Sequence, residues 1–241
     1  MTRQTTSAFA AIALTLAAAP AFAQQAPRDP DAERIDDLVT AYKILVNEGI
    51  LDSFGHVTVR SAKNPNVFYM PRAMPPSLVT KADVLEVNVA DSQPIDPKGR
   101  RVNGERYIHG EVLRARPDVM AVVHSHSPSV VPFSISKKLQ FQPVCHMSGF
   151  LGVCTPVFEI RDYAGDSSDL LITSSKLGAD LAKTLGHQNC CLMRGHGSTV
   201  VGPTLREAVF RAVYTEVNAK LQAQATALGE FTPLTEGEAE V

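Results

Sequence analysis

The chain has 241 residues, 44% of them hydrophobic and 20% charged, with a formal net charge of −2. That length and apolar content suffice for one domain with a real core. The charge balance offers no basic excess for nucleic acid, and no uncharged apolar run reaches the roughly 18 residues of a membrane-spanning helix.

The first residues differ in kind from the rest. Arg3 precedes the alanine-rich stretch Ala8 to Ala19, which leads to Ala21-Phe22-Ala23. A charged start, a short apolar run and a small-x-small site are the parts of a cleavable signal peptide. The expectation is a signal over residues 1–23 with cleavage near Ala23, and a periplasmic or secreted mature protein. Residues 24–30 form a polar leader, 31–235 one domain, and 236–241 a tail.

Apolar residues at Ile35, Leu38, Val39, Tyr42, Leu45 and Val46 predict a helix over 31–48, closed by Gly49. Short strands are expected at 56–60, 67–70 and 84–89. A helix follows from about Glu105 to Arg116, stopped by Pro117-Asp118, and then a strand from Val119 into His124. Residues 141–160, rich in Gly and Pro, read as loops and short strands. Leu170-Leu171-Ile172 reads as a strand, and Ser174-Ser175 as the cap of a helix to Leu185. Strands at 190–193 and 198–201 flank Arg194-Gly195-His196-Gly197. A long amphipathic helix, Leu205 to Leu228, ends at Gly229, with Leu205, Val209, Ala212, Val213, Val217, Leu221 and Ala225 on its packing face. Helices alternating with short strands, with no repeat or linker, indicate one α/β domain. Of the four cysteines, Cys190 and Cys191 read as small buried hydrophobes, while pairing of Cys145 with Cys154 is not legible.

His124 and His126 carry the chemistry. Residues two apart on a strand project from one face, so both imidazoles can grip one ion. His196, between two glycines after the apolar run Cys190 to Met193, is the expected third ligand. Glycines permit a turn and a close backbone approach there. Glu105 opens the helix before the metal strand. It can cap that helix, ligate the ion, or serve as general base.

Glu105 lies nineteen residues before His124-Ser125-His126, and Gly195-His196-Gly197 and a long helix follow later. Together with Asp52 to Arg60 and Arg114 to Asp118, these blocks resemble the class II aldolase/adducin family over essentially the whole mature chain. The resemblance implies a three-layer αβα fold on a mixed, mainly antiparallel sheet. It further implies Zn²⁺ on His124, His126 and His196, proton handling by Glu105, and a homotetramer with active sites between subunits. Adducin-type members lack the catalytic ligands, whereas this chain retains them, which argues for an enzyme over a non-catalytic binding module.

The chain departs from the family's sugar-phosphate aldolases where they hold phosphate. Gly55-His56, Arg72-Ala73 and Asn103-Gly104 replace their small hydroxyl and amide donors. Arg72 offers a planar fork for a carboxylate, and His56 joins it as a substrate-binding candidate. His146 stands about where those aldolases place a catalytic tyrosine, and can deliver a proton at neutral pH. This combination resembles the family's decarboxylase branch, with Zn²⁺, Mn²⁺ or Fe²⁺ as cofactor. The expected activity is a metal-dependent carbon–carbon lyase that decarboxylates a small hydroxylated carboxylate, aromatic ones included, through an enolate-like intermediate. An aldolase for an unphosphorylated hydroxy-acid or sugar is the alternative.

Overall fold

The computed structural model describes residues 29–240, so the expected signal peptide and most of the leader lie outside that range. The elements are α1 (Pro30–Asn47), β1 (His56–Arg60), β2 (Val67–Pro71), β3 (Val84–Asn88), β4 (Pro94–Ile95), α2 (Arg106–Ala115), β5 (Ala121–Ser125) and α3 (Val131–Ile135). They continue with β6 (Val157–Phe158), α4 (Arg161–Ala164), α5 (Ser175–Leu185), β7 (Cys190–Met193), β8 (Gly197–Gly202), α6 (Leu205–Leu228) and α7 (Glu236–Ala239). Local chemistry sets several helix starts. Asp29 accepts from the Asp31 amide with Pro30 in the first turn, Ser174 caps α5, and Thr204 caps α6.

The strands form one eight-stranded sheet in the order β4-β3-β2-β1-β5-β8-β7-β6. All neighbours are antiparallel except β6 and β7, which run parallel. This is the mixed, mainly antiparallel sheet that the sequence predicts. Val57, Val59, Ala121 and Val123 pack with Leu38, Leu45 and Ala208 under α1 and α6. Phe68, Val122, Cys191 and Val201 pack with Ile108, Val112 and Leu181 under α2 and α5. With both faces covered, the central strands read as apolar runs, each buried aliphatic side chain contributing about 1.5–3 kcal/mol. Alternation also assigns the polar residues. His56, Thr58 and His124 take the face of Val122, toward α2.

A buried guanidinium ties the sheet to that layer. Arg60 donates through Nε to Val119 O, through Nη1 to Pro65 O, and through Nη2 to the Leu113 and Arg116 carbonyls at the end of α2. Those carbonyls have no partner further along the helix, so a basic side chain there satisfies backbone and dipole together.

Three expectations need correction. Leu170-Leu171-Ile172 is not a strand. Leu170 adopts a φ of 68°, and the three amides donate to the side chains of Ser168, Asp169 and Glu105 instead of a sheet neighbour. Residues 236–239, expected as tail, form α7, which lies so close to Gly149 that a Cβ there would meet Ala239 O at 2.6 Å. The buried face of α6 also changes character along its length. Leu221 is exposed, while Asn218 and Gln222 are fully buried. Asn218 donates to Gln142 O and accepts from Val144 N, and Gln222 pairs in the same way with Gln140 O and Gln142 N. The helix thereby serves as the missing strand neighbour for 140–144, and both the nitrogen and the oxygen of each buried amide find a partner. All four cysteines are free thiols, with Cys190 and Cys191 buried in the sheet as expected.

Candidate metal centre and active-site cavity

The register of three strands and the start of one helix converge on a single point. His56 of β1 lies directly opposite His124 of β5. His126 follows β5 by one residue. His196 occupies the turn between β7 and β8, where Gly195 has a φ of 65°. At Gly197 the backbone approach is so close that a Cβ would sit 2.0 Å from Ser125 O. Both glycines therefore do what their positions predict. A Gly197→Ala substitution should destabilise the protein by about 3 kcal/mol through this backbone overlap. It should also weaken metal binding, because β8 can escape only by displacing His196; urea denaturation and metal titration measure the two effects.

His126 Nε2 lies 3.1 Å from His124 Nε2 and 3.0 Å from His196 Nε2. His124 Nδ1 is 3.0 Å from Ser198 O, a carbonyl that can only accept. Nδ1 therefore carries the proton, and Nε2 presents a lone pair to the cluster. His126 Nε2 has a single in-plane site, holding either a hydrogen or a lone pair, and cannot both donate to His124 and accept from His196. Hydrogen bonds alone cannot satisfy the trio. A cation bound by all three nitrogens would, and donors about 2.0–2.1 Å from one centre lie at comparable mutual separations. The donor set fits a divalent metal ion, and three protein ligands leave coordination positions open, as catalytic sites do.

Glu105 stands beside the trio. Its Oε2 lies 3.8 Å from both His124 Nε2 and His196 Nε2, and 3.7 Å from His56 Nε2. The four side chains Glu105, His124, His126 and His196 offer ligand atoms within 4.8 Å of one another. Oε1 accepts from the Ile172 amide, which fixes the carboxylate, and the Glu105 backbone amide donates to Asn103 Oδ1 at the start of α2. Burial acts to raise the Glu105 pKa, but the His56 contact and the neighbouring imidazoles outweigh it and hold the carboxyl well below the usual range. Burial keeps His124, His126 and His196 below the ordinary imidazole value, against the pull of Glu105. Burial thus favours the neutral, ligating form of all three imidazoles.

A cavity of about 610 Å³ opens over the cluster, lined in part by Phe54, His56, Arg101, Asn103, Glu105 and His126. Gly55-His56, Ala73 and Asn103-Gly104, the segments that replace the phosphate cradle, all reach its wall. Arg72 does not line it. Its Nε donates to Asp83 Oδ1 at 2.8 Å, and its backbone bridges Val102, so the expected carboxylate-binding role is not supported by its position. Arg101 is the guanidinium on the cavity wall, with no carboxylate partner among the described residues. His146 starts the six-residue 3-10 segment His146–Leu151, is exposed, and does not line the cavity within one chain.

Sequence reasoning overlooked Arg101, Phe54 and His109. His109 is fully buried on α2, one turn beyond Glu105, and its Nε2 lies 2.6 Å from His56 Nδ1. The i,i+4 spacing from Glu105 was the available signal.

Residues 36–223 match the family of the class II aldolase and adducin N-terminal domain. The chain belongs to that family. Among relatives of this class II aldolase/adducin protein, the decarboxylase tropJ of Talaromyces stipitatus is 36% identical over 80% of this chain and 76% of its own length. A 3,4-dihydroxyphthalate decarboxylase of Arthrobacter keyseri is 25% identical over 80% of this chain and 78% of its own. The solved L-fuculose 1-phosphate aldolase of Glaciozyma antarctica superposes with a TM-score of 0.70 at 27% identity, covering 92% of this chain and 84% of that one.

Proposed function

We propose that this protein is a metal-dependent carboxy-lyase that removes carbon dioxide from a small hydroxylated aromatic carboxylate. The observation that carries the reading is the arrangement of one cavity. Arg101, without a carboxylate partner among the described residues, lines it, and so do Glu105 and His126 of the metal cluster. The names of the relatives favour decarboxylation over aldol cleavage.

His124, His126 and His196 would hold one divalent cation, assigned first to Zn²⁺ and otherwise to Mn²⁺ or Fe²⁺. Such an ion supplies a Lewis acid that neutralises negative charge on an oxygen next to the breaking C–C bond. Arg101 binds a substrate carboxylate as a two-pronged donor. Phe54, 67% exposed at the cavity wall, offers a ring face for an aromatic substrate. Glu105, ionised and aimed into the cavity, takes the hydroxyl proton at Oε2. As the C–C bond breaks and carbon dioxide leaves, Glu105 returns that proton to the ring carbon. The phenolate that remains takes its proton from solvent, so the balance closes.

The test is metal-loaded protein assayed against hydroxybenzoates, dihydroxyphthalates and unphosphorylated hydroxy-acids. Carbon dioxide release supports the proposal; aldehyde or ketone release would replace it with the aldolase reading. In the active system, Arg101→Met should raise KM by about 10–100-fold through loss of its charge-assisted hydrogen bonding to the carboxylate, with a smaller effect on kcat.

The same proposal includes a homotetramer, in which His146 reaches an active site only across a subunit contact. It also includes export, on the strength of Arg3, the alanine-rich stretch and Ala21-Phe22-Ala23. Native mass and the N-terminal sequence of the secreted product test these two points.

A further inference from the structure

Behind Glu105 runs a line of buried polar groups that the proposed chemistry does not use. Thr58 Oγ1 lies 2.8 Å from His109 Nδ1, and His109 Nε2 lies 2.6 Å from His56 Nδ1. His56 Nε2 in turn faces Glu105 Oε2 at 3.7 Å. Thr58 and His109 are fully buried and His56 nearly so, which leaves water little access to repair a mismatched donor or acceptor. The two rings meet edge to face, with centroids 4.8 Å apart.

The direction of these hydrogen bonds follows from one end. A carboxylate has only lone pairs, so a lone pair on His56 Nε2 would be repelled by Glu105. Glu105 therefore favours a hydrogen on His56 Nε2. With a single hydrogen on that ring its Nδ1 is an acceptor, and His109, kept neutral by burial, donates from Nε2. That leaves His109 Nδ1 as an acceptor, for which the Thr58 hydroxyl is the donor. With one hydrogen on each ring, every site in the line is matched. Reversing one member sets two hydrogens or two lone pairs against each other at 2.6 Å.

We infer that Thr58 and His109 complete the lock of His56 in the Nε2–H tautomer that Glu105 favours, so that His56 presents a fixed N–H toward Glu105 and the cavity that it lines. His109 and Thr58 touch neither the cavity nor the imidazole trio through these bonds. They are positioning residues, acting through His56. Fixing the tautomer by the partner on the opposite ring nitrogen is the general way in which imidazoles at working sites are oriented.

The test has one arm that needs no substrate. Nitrogen-15 imidazole spectra of the purified protein, with His56 assigned by its absence in His56→Gln, read the tautomer directly. The parent should show protonated Nε2. His109→Leu, which keeps bulk and removes both nitrogens, should leave His56 in a mixture of tautomers, as should Thr58→Val. His109→Gln, whose amide nitrogen can donate where Nε2 stood, should restore the parental spectrum. The kinetic arm rests on the proposed lyase activity. There His109→Leu should lower kcat by about 10–100-fold, the usual effect of an outer partner, with KM and metal content close to the parent's and recovery in His109→Gln. A parent with protonated Nδ1 on His56 overturns the inference whatever the activity. So does a His109→Leu or Thr58→Val protein whose His56 spectrum is unchanged. If the spectra behave as expected but no lyase activity exists, the lock stands and the proposed function fails. Should His109→Leu not fold, Thr58→Val and His109→Gln decide the matter between them.

Discussion

Replacing Glu105 by glutamine is expected to lower kcat by about 10²–10⁴-fold, the range for loss of a positioned acid–base group, while bound metal stays near the parental stoichiometry. Glutamine has the shape of glutamate and keeps an oxygen to accept from the Ile172 amide. The local fold should survive. What it loses is the charge and the basicity of Oε2, which sits 3.8 Å from two of the imidazoles without closing on either. The pKa direction reinforces this choice of role. With its folded value held below the usual carboxylate range, Glu105 is ionised throughout the neutral region, and starts each turnover as a base. Metal analysis beside steady-state kinetics separates the possibilities. Loss of metal in Glu105→Gln would make the residue a ligand, and an unchanged kcat would remove it from the chemistry.

Truncating His126 should have the other large effect. His126 is the middle member of the trio, within 3.1 Å of both other nitrogens. In His126→Ala, metal content should fall close to zero and activity to background. In the parent, chelation should lower unfolding stability by about 4 kcal/mol if the free ion had been at a thousand times its Kd. Thermal or urea unfolding with and without chelator measures the difference. The pH dependence has a definite sign. All three imidazoles have folded pKa values below their unfolded ones, mainly through burial. Above the unfolded value of about 6.5 both states are neutral there. As pH falls through that value the unfolded chain binds protons that the fold resists, so stability of the metal-free protein declines. The depressed folded values also carry metal retention to lower pH than exposed histidines would allow. A protein that keeps its metal and activity in His126→Ala would disprove the site.

The decarboxylase reading and the aldolase fold share one physical basis. Both reactions break a C–C bond beside an oxygen-bearing carbon, and both leave charge that a nearby cation can neutralise. What differs is the wall of the cavity. Here an arginine and an exposed phenylalanine stand near the cluster, and these are the groups that an aromatic carboxylate would meet.

Much of this protein is legible in its sequence because the signals are local. Period-two alternation places His124 and His126 on one side of a strand, and the two glycines around His196 announce a turn and a close approach. A dipeptide geometry or a turn needs no knowledge of the rest of the chain. Strand and helix limits came within a few residues for the same reason. Sequence by itself did not separate Arg72 from Arg101. Both lie in loops near the same sheet edge, and only packing decides that one pairs with Asp83 while the other faces the cavity. Nor could it show that Leu170 to Ile172 gives its amides to side chains, one of them Glu105 itself. His109 is the clearest case. Its spacing puts it on the helix face of Glu105, but its partner is decided only when strand register sets His56 beside His124 and the α2 layer closes over both. Ligand identity was written in short-range pattern, whereas the orientation of the acid beside those ligands is a property of long-range contacts, fixed only when the sheet and its helices pack together.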